Sequence, residues 1–513
     1  CYSGQPKLAD MALFEICQGY TTSILVVLLA VMMIYRWHKQ KYKNLPPGPT
    51  GVPILGCLPF MDTLAELTFT KWSKKYGPIF TVYLGQTRVV VLNSFEAIEE
   101  ALINQGDKFT GRVHNFFTNF SNNGHGLFFI DGEKWTIQRK FGTRALAGAG
   151  VYGKTYEQRV LEEAAHLIEV FRSKDEKPFS IEVPLISAVA NVINGITIQE
   201  KCNEEGNERL QAYVMEVIEG FRRDGILYSL LLVMPWCRFI PFMKKRMKVM
   251  SEGIRLGNDI FATAIEQHEK HHDAAHPRDL VDLFINEMHR NRRTFEVTIL
   301  SNSFQKTQLQ YFLKDLFAAG TETSTSTIIW ALYYLIRHPE IQDKVHREID
   351  AELGKARSRE GKLSLKTNLP YTKAVLQETY RIRTATPLAI PRRTREDVNL
   401  MGYSIPKDTQ IISNLWWVHN DPEHWDEPDV FRPERHLDTN GNLVMLNRVI
   451  PFSIGPRNCL GENLARIEIY LFLVSILQKF VVLPNPDDPN PPMTCNPGAV
   501  NAPSSYNIVL KER

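Results

Sequence analysis

The sequence predicts a mainly α protein with a minor β part, behind an N-terminal transmembrane helix. Long helical patterns dominate from about residue 133 to 380, while short extended pieces occur near 79–92 and 388–413. No residue from 16 to 35 is charged, and about twenty helical residues span the hydrocarbon core of a membrane. Since no internal repeat or long low-complexity linker follows residue 50, we expect residues 51–513 to form one large domain.

The N-terminal region divides into three parts. Residues 1–15 form a short segment, residues 16–35 the predicted anchor, and residues 36–50 a basic, proline-rich hinge. Basic residues after the anchor predict that the main domain faces the cytoplasm. A cleaved signal peptide is the alternative, but no positive region precedes the apolar stretch and no small-residue cleavage site follows it.

Composition excludes several classes of protein. The formal charge of +3 is near neutral for 513 residues, so no nucleic-acid partner is implied. The seven cysteines are scattered and include no C-x-x-C pair, which argues against a disulfide framework or a zinc site and fits a reducing compartment.

Several local patterns predict individual elements. Residues 79–92 are typical of a β-hairpin, and Ser94 is placed to cap a following helix at 95–101. A long helix is predicted from about Gln308 to Arg337. Its centre, 318–327, combines a glycine with six hydroxyl residues, which suggests a local distortion that opens room for a ligand or water.

A single cysteine near the C-terminus lies in a glycine-flanked loop. Cys459 is followed at once by a predicted helix, whose N-terminal N–H groups and dipole would stabilise a thiolate. Gly455 and Gly461 would allow a sharp turn and close approach to a flat ligand. A lone thiolate offered in this way suits an axial ligand of haem iron.

The run from Phe452 to Gly461 fills every fixed position of Phe-x-x-Gly-x-Arg-x-Cys-x-Gly. It resembles the cysteine-ligand loop of the cytochrome P450 superfamily, the haem-thiolate monooxygenases. The resemblance covers nearly the whole chain after residue 45, and Pro46–Pro49 and 461–466 look most like animal microsomal members that metabolise drugs, steroids and fatty acids. It implies a helical haem domain with small β-sheets, in which Cys459 ligates the iron of haem b.

The resemblance also assigns catalytic and structural residues. Ala318–Thr323 matches the family's oxygen-binding motif, which implies that Thr323 holds a water beside the reacting oxygen and that Glu322 relays protons. Glu378 and Arg381 match the family's Glu-x-x-Arg pair, and Arg435 its third partner; together they would form a buried lock on the cysteine loop. His436 stands where the family often has phenylalanine.

A further set of side chains would hold the cofactor, because the haem propionates need cationic or indole donors. The resemblance implies that these are Arg112, Trp135, Arg139, Arg392 and Arg457, with Phe452 in the cysteine loop beside the haem. We also expect Lys134, Arg139 and Lys140 to form a basic patch that steers an acidic, flavin-bearing reductase, although an ordinary solvated helix face is an equally good interpretation.

The expected function is a monooxygenase of the endoplasmic reticulum membrane, single-pass with a cytosolic catalytic domain. It would insert one atom of dioxygen into a hydrophobic small molecule, such as a fatty acid, steroid or xenobiotic. Electrons from NADPH would come through a separate NADPH-cytochrome reductase, with cytochrome b5 as a second candidate partner. The alternatives are a haem-thiolate isomerase or dehydratase acting on lipid peroxides, and a haem-binding protein without turnover; Glu322 and Thr323 argue against both.

Overall fold

We describe the protein from a computed structural model, which places residues 44–148, 154–198, 208–293, 303–354, 363–496 and 498–513, together with residues 20, 23, 25–30 and 32. The predicted anchor, residues 16–35, lies largely outside the described residues, as does the basic half of the hinge. Among the residues described, no helix combines the length and apolar character that a membrane crossing requires.

Helices make up most of the described chain, as predicted. Prolines stand in the first turn of several of them, where a missing N–H costs nothing. In chain order the helices are α1 (Ala65–Tyr76), α2 (Phe95–Glu99), α3 (Phe116–Asn122), α4 (Gly132–Gly148), α5 (Lys154–Arg172), α6 (Glu182–Thr197), α7 (Glu208–Val233), α8 (Pro241–Lys270), α9 (Leu280–Arg293), α10 (Lys306–Arg337), α11 (Pro339–Leu353), α12 (Pro370–Ile382), α13 (Leu415–Asn420) and α14 (Glu462–Lys479).

The strands form small sheets. They are β1 (Ile79–Leu84), β2 (Thr87–Leu92), β3 (Arg392–Arg393), β4 (Val398–Leu400), β5 (Tyr403–Ile405), β6 (Gln410–Ser413), β7 (Phe480–Pro484), β8 (Cys495–Asn496), β9 (Ala502–Pro503) and β10 (Ile508–Glu512). The largest sheet has the order β1-β2-β6-β3, in which β6 runs parallel to β2 and antiparallel to β3. The antiparallel pairs β7–β10, β4–β5 and β8–β9 complete the set.

Helix α10 lies at the centre of the largest hydrophobic core. Its second half, from Ile328 to Ile336, is apolar on every side, and such a helix is stable only when other elements surround it. Helices α6, α8, α12 and α14 pack against it. Within Ile328–Ile336 the aromatic polar groups have acceptors: the Trp330 indole N–H donates to Asn501 O at 2.8 Å, and the Tyr333 hydroxyl donates to Pro491 O at 2.9 Å.

The predicted local elements are present, with two differences. The hairpin pairs Ile79 with Leu92 through Leu84 with Thr87, and Ser94 Oγ accepts the Ala97 N–H at 3.2 Å to cap α2. This helix continues beyond residue 99 as a π-helical turn, Glu100–Asn104. The distortion predicted at 318–327 is absent from the hydrogen-bonding pattern, since α10 is continuous there. Hydroxyl side chains bond the carbonyls one turn earlier, and Gly320 makes room for Ile193 of α6.

Candidate active site

The cysteine loop is a tight turn held by its own backbone. The Cys459 N–H donates to Phe452 O at 2.9 Å, and the Asn458 N–H donates to Gly455 O at 3.0 Å. Gly455 has φ +79°, and a Cβ at that position would overlap the carbonyl oxygen of Leu102. A glycine is therefore required there, as expected. Gly461 has φ −95°, which other residues adopt as well, and it lines the cavity; its close approach to a flat ligand stays a prediction.

Cys459 lies just before α14, as predicted, with its side chain exposed to a cavity. Although the thiol faces the cavity, the protein atoms packed around it desolvate it and raise its pKa to about 11; the Gly461 N–H and the cations of Arg139 and Arg466 favour the thiolate. The predicted stabilisation of the thiolate at the helix terminus is present, but the desolvation of the thiol outweighs it. Coordination to a metal ion would reverse this balance, because a metal-bound thiol is deprotonated.

A cavity of about 990 Å³ extends from Cys459 to α10 and α7. Its wall joins the cysteine loop, the centre of α10, the segment before β3, and apolar side chains of α3, α6 and α7. The wall residues that the sequence analysis predicted as cofactor-binding or catalytic are Arg112, Trp135, Arg139, Thr323, Arg392, Phe452, Arg457 and Cys459; Phe117, Phe128, Phe129 and 386–390 line the cavity as well. The structure thus brings the predicted cofactor-binding residues to one cavity.

Buried arginines converge on one side of this cavity. Arg112 donates from Nε to Phe128 O at 2.9 Å, and from Nη1 to the carbonyls of Ile390 and Pro391 at 2.8 Å each. Arg392 donates from Nη2 to Ile454 O at 3.0 Å. These bonds tie the loop before α4 and the strand β3 to the cysteine loop.

Arg457 and Arg139 reach the same place from the loop and from α4. Arg457 donates to Thr110 O at 2.9 Å and to Ile130 O at 2.7 Å, and its guanidinium lies 3.9 Å from the centre of the Trp135 ring. Arg139 donates to the backbone oxygen and to Oδ1 of Asn458, at 2.8 and 2.7 Å.

The charges of these arginines are poorly compensated within the described part of the chain. Burial lowers the pKa of Arg112, Arg392 and Arg457, and the neighbouring guanidiniums lower those of Arg392 and Arg457 further. Asp131 opposes the effect, but its Oδ2 also accepts hydrogen bonds from His114 and Arg393 at 2.9 Å. Arg392 Nη1 is buried and has no hydrogen-bond partner among the described residues. Two carboxylates entering the cavity would supply the missing charge, so the site fits the propionates of haem.

Thr323 and Glu322 take different positions on α10. Thr323 lines the cavity, and its hydroxyl donates to Ala319 O at 2.7 Å. Glu322 is fully buried and does not line the cavity; its Oε1 accepts from Ser326 Oγ at 3.4 Å. The structure therefore places Thr323 in the cavity wall, whereas the carboxyl of Glu322 is buried in the protein and does not reach the cavity.

Glu378, Arg381 and Arg435 meet in the interior below the cysteine loop. Glu378 and Arg381 are fully buried, with Arg381 Nε and Nη2 donating to the two carboxylate oxygens at 2.9 and 2.8 Å. Arg435 Nε donates to Glu378 Oε1 at 3.3 Å. The sequence reasoning missed a further partner: His436, also fully buried, lies with Nε2 2.9 Å from Glu378 Oε2. Only the residue type could have indicated this contact from the sequence, because a buried histidine needs a polar partner.

This network is connected to the cysteine loop through α13. Arg381 Nη1 donates to His419 O at 2.7 Å, and the Ile450 N–H donates to His419 Nε2 at 2.8 Å. Burial lowers the pKa of His419 to about 3, so its ring is neutral and can accept. Ile450 stands just before the loop that begins at Phe452.

The sequence reasoning also missed two buried carboxyls of the cavity wall. Asp315 on α10 accepts the N–H groups of Leu127 and Phe128 at 2.6 and 2.9 Å, and so holds the loop between α3 and α4. Burial raises the pKa of this carboxyl to about 6. Glu468 on α14 is the second, and burial raises its pKa to about 8. Neither belongs to a motif that spacing could reveal.

Comparison with known proteins agrees with this geometry. The family model "Cytochrome P450" matches residues 46–510. Among similar proteins, cytochrome P450 2H2 of Gallus gallus is 35% identical over 497 residues, which cover 96% of this chain and 98% of the relative. Cytochrome P450 2C44 of Mus musculus is 32% identical over 503 residues, covering 96% and 99%, and the mouse cytochrome P450 2U1 is 32% identical over 520 residues, covering 96% and 95%. The chain belongs to the cytochrome P450 family, and is a haem-dependent monooxygenase that binds haem b through a cysteine thiolate.

Proposed function

We propose that the protein oxidises a hydrophobic small molecule in the cavity that Cys459 lines. The observation that carries this proposal is the convergence, on one mainly apolar cavity, of the exposed thiol of Cys459 and a cluster of under-compensated arginines. Haem bound there would supply the chemistry of dioxygen, with the thiolate favouring cleavage of the O–O bond. In this proposal Cys459 is the iron ligand, and Phe452 forms part of the wall beside the cofactor.

Arg112, Arg392, Arg457 and Arg139, with Trp135, would hold the two propionates. Each guanidinium already has at least one backbone carbonyl as acceptor, so its plane is fixed before the ligand arrives. A propionate would therefore meet pre-oriented donors and would remove the mutual repulsion of the arginines.

We assign proton handling to the centre of α10. The Thr323 hydroxyl can exchange its bond to Ala319 O for one to a water or a reacting oxygen in the cavity. Glu322 would relay protons to this position, which requires its carboxyl to turn from Ser326 toward the cavity. Glu378, Arg381 and Arg435 would act at a distance, by keeping the segment before the cysteine loop in place through His419.

Apolar wall residues support a hydrophobic substrate. The walls contributed by α3, α6 and α7 include the apolar Phe117, Ile193, Leu230 and Val233, together with polar side chains such as Glu216. Fatty acids, steroids and xenobiotics are all candidates.

Exposed apolar side chains near Phe239 support a place on the endoplasmic reticulum membrane. Phe239 is 72% exposed, and Trp236, Phe242, Ile54 and Phe60 are exposed large apolar residues as well. The segments that carry them contribute to one hydrophobic cluster, so these segments pack together. Apolar residues grouped in this way favour an interface. With residues 16–35 as a single-pass anchor, this surface would rest on the cytosolic leaflet.

The electron donor would be an NADPH-cytochrome reductase, with cytochrome b5 as a second candidate. Of the predicted patch, Lys140 is exposed, whereas Lys134 Nζ donates to Gly124 O at 2.8 Å and Arg139 is bonded to Asn458. Charge reversal at Lys140 should therefore raise the apparent Michaelis constant for the reductase more than reversal at Lys134. Equal or absent effects would remove this patch from the proposal.

The experiment is a product screen of the membrane-bound protein with reductase, NADPH and isotopically heavy dioxygen, using a mixed lipid, steroid and drug library. The Cys459→Ala variant should lose all labelled product. Cys495, another cysteine of the cavity wall, offers a matched control, and its alanine variant should retain the activity. Labelled product from both variants would contradict the assignment of Cys459, and rearranged, unlabelled products from peroxides alone would contradict the proposed reaction.

A further inference from the structure

Glu66 is a buried acidic residue of the cavity wall that the proposed mechanism does not use. It lies in the first turn of α1, is 7% exposed and lines the same cavity as Cys459. In the part of the chain that the structure describes, no hydrogen bond or ion pair joins its carboxylate to another residue, and burial raises the pKa of this carboxyl. An unpaired buried carboxylate costs free energy, so a ligand that supplies the missing positive charge would relieve that cost.

The other acidic side chains of the described wall all have partners: Asp62, Glu216, Asp315 and Glu468. Lys71, a cation of the same helix as Glu66, donates from Nζ to Asp62 Oδ2 at 2.7 Å. The group that favours the charged form of Glu66 is its own backbone N–H, and no cationic side chain among the described residues lowers its pKa. Glu66 is therefore the carboxylate of this wall whose charge is left uncompensated.

Backbone contacts fix the position of Glu66. Its carbonyl oxygen accepts from Thr70 Oγ1 at 2.9 Å and from Asn414 Nδ2 at 3.1 Å, and the second bond ties α1 to the residue that caps α13. Cys495 of β8, another wall residue, lies near enough that the charge of Glu66 raises the pKa of its thiol. The carboxylate is thus held in place, and a ligand would meet it without reordering the backbone.

A protonated amine has the chemistry that suits this position. It brings one positive charge and an N–H donor, which together make a charge-assisted hydrogen bond to a carboxylate. A metal ion would need several ligands, and the other acidic groups of the wall are already engaged. The neighbouring wall suits an apolar body, because Phe69 of α1 and Leu388 both line the cavity and belong to one hydrophobic cluster.

We propose that Glu66 binds the protonated amine of a substrate whose remaining part is apolar. The inference rests on the proposed function and names the substrate class of that cavity, namely hydrophobic amines rather than neutral or acidic molecules of similar size. Binding forms a charge-assisted hydrogen bond from the ammonium group to Glu66 and neutralises the buried carboxylate. The apolar part of the substrate then occupies the cavity that Cys459 lines.

The test is calorimetric titration of the purified full-length holoprotein with two probes of nearly equal shape. One is phenylbutyl dimethylamine, which is protonated at neutral pH, and the other is its uncharged isostere, in which CH replaces the ammonium NH. Glu66→Gln should raise the dissociation constant for the amine about ten- to hundredfold and change that for the isostere by about twofold or less. Asp62→Asn is the matched control, because it removes an exposed, paired carboxylate of the same wall, and it should leave both constants at their wild-type values.

An unchanged constant for the amine in Glu66→Gln would overturn the proposal. Equal losses for the amine and the isostere would do so as well, because they would indicate damage to the cavity rather than loss of a charge. An equal loss for the amine in Asp62→Asn would also overturn it, since the effect would then be one of general charge. If Glu66→Gln does not fold, Glu66→Met is measured in its place, because methionine removes the charge and fits buried apolar sites.

The product screen separates the role of Glu66 from the proposed function. Labelled product from neutral compounds, with none from protonated amines, would leave the monooxygenase in place and overturn the role of Glu66. Binding of the amine through Glu66 without labelled product from any compound would support the amine site and overturn the proposed reaction.

Discussion

Replacing Glu378 by glutamine tests the buried network below the cysteine loop most directly. Burial alone would raise the pKa of Glu378, but hydrogen bonds from Arg381 and His436 outweigh it and lower the pKa to about 2, against an ordinary value of 4.5. This difference of about 2.5 in pKa corresponds to about 3 kcal/mol of stability. The variant also leaves Arg381 buried without a counter-ion, and breaking a buried pair in this way typically costs about 3–5 kcal/mol.

The assay is urea unfolding of the holoprotein followed by far-ultraviolet circular dichroism, with Glu434→Gln as the control. Glu434 lies in the same segment as Arg435, but its pair with Lys344 is exposed and is worth at most about 1 kcal/mol. Because the pKa of Glu378 is lowered on folding, its contribution is complete above pH 4.5 and is lost as the pH falls toward 2. The reasoning is refuted if Glu378→Gln unfolds within about 1 kcal/mol of Glu434→Gln, or if both variants show the same acid dependence.

Three other changes have expected outcomes. Arg392→Met should raise the thermal midpoint of the haem-free protein, because it removes a buried, under-compensated charge, and should weaken haem binding, because the cofactor needs that charge. Calorimetry would measure the first effect and a haem titration the second. Burial alone would lower the pKa of His268, but the hydrogen bond to Asp279 raises this pKa. The stability that the His268–Asp279 pair contributes is therefore complete below pH 6.5 and is lost as the pH rises through the folded-state pKa. Unfolding curves of His268→Gln should lack this pH dependence. Gly455→Ala should reduce haem content severely, since positive φ and a backbone clash coincide there, whereas Gly461→Ala should lower the free energy of unfolding by about 1 kcal/mol or less; the carbon monoxide difference spectrum measures the haem content and urea unfolding measures the free energy.

The sequence predicted correctly those elements that neighbouring residues in the chain determine. The hairpin at β1 and β2, the cap by Ser94 and the position of Cys459 before α14 follow from alternation, capping and turn residues, and the structure confirms them. The predicted distortion in α10 was wrong because hydroxyl side chains can bond carbonyls of the previous turn without breaking the helix. Spacing could suggest that Glu378 and Arg381 share a face, but not that the pair lies in the interior.

Other features depend on contacts between segments far apart in the sequence. Ser324 and Glu468 come together because α10 packs against α14, and no pattern within either helix predicts that contact. The same holds for Asp315, which anchors a loop almost two hundred residues earlier in the chain. Burial decides the ionisation of all such groups, and burial is a property of the packed molecule.

Burial shifts the pKa values of two groups of the site in opposite directions. Burial raises the pKa of Cys459 and lowers that of Arg457, so in each case it disfavours the charged form. One cofactor would reverse both effects, since iron favours the thiolate and the propionates favour the guanidiniums. Both residues belong to one loop, held by Thr110 and Ile130 on one side and, through His419, by the Glu378 network on the other. Binding of haem at this loop would therefore stabilise the contacts between these segments, because a ligand that relieves buried charge in the folded state stabilises that state.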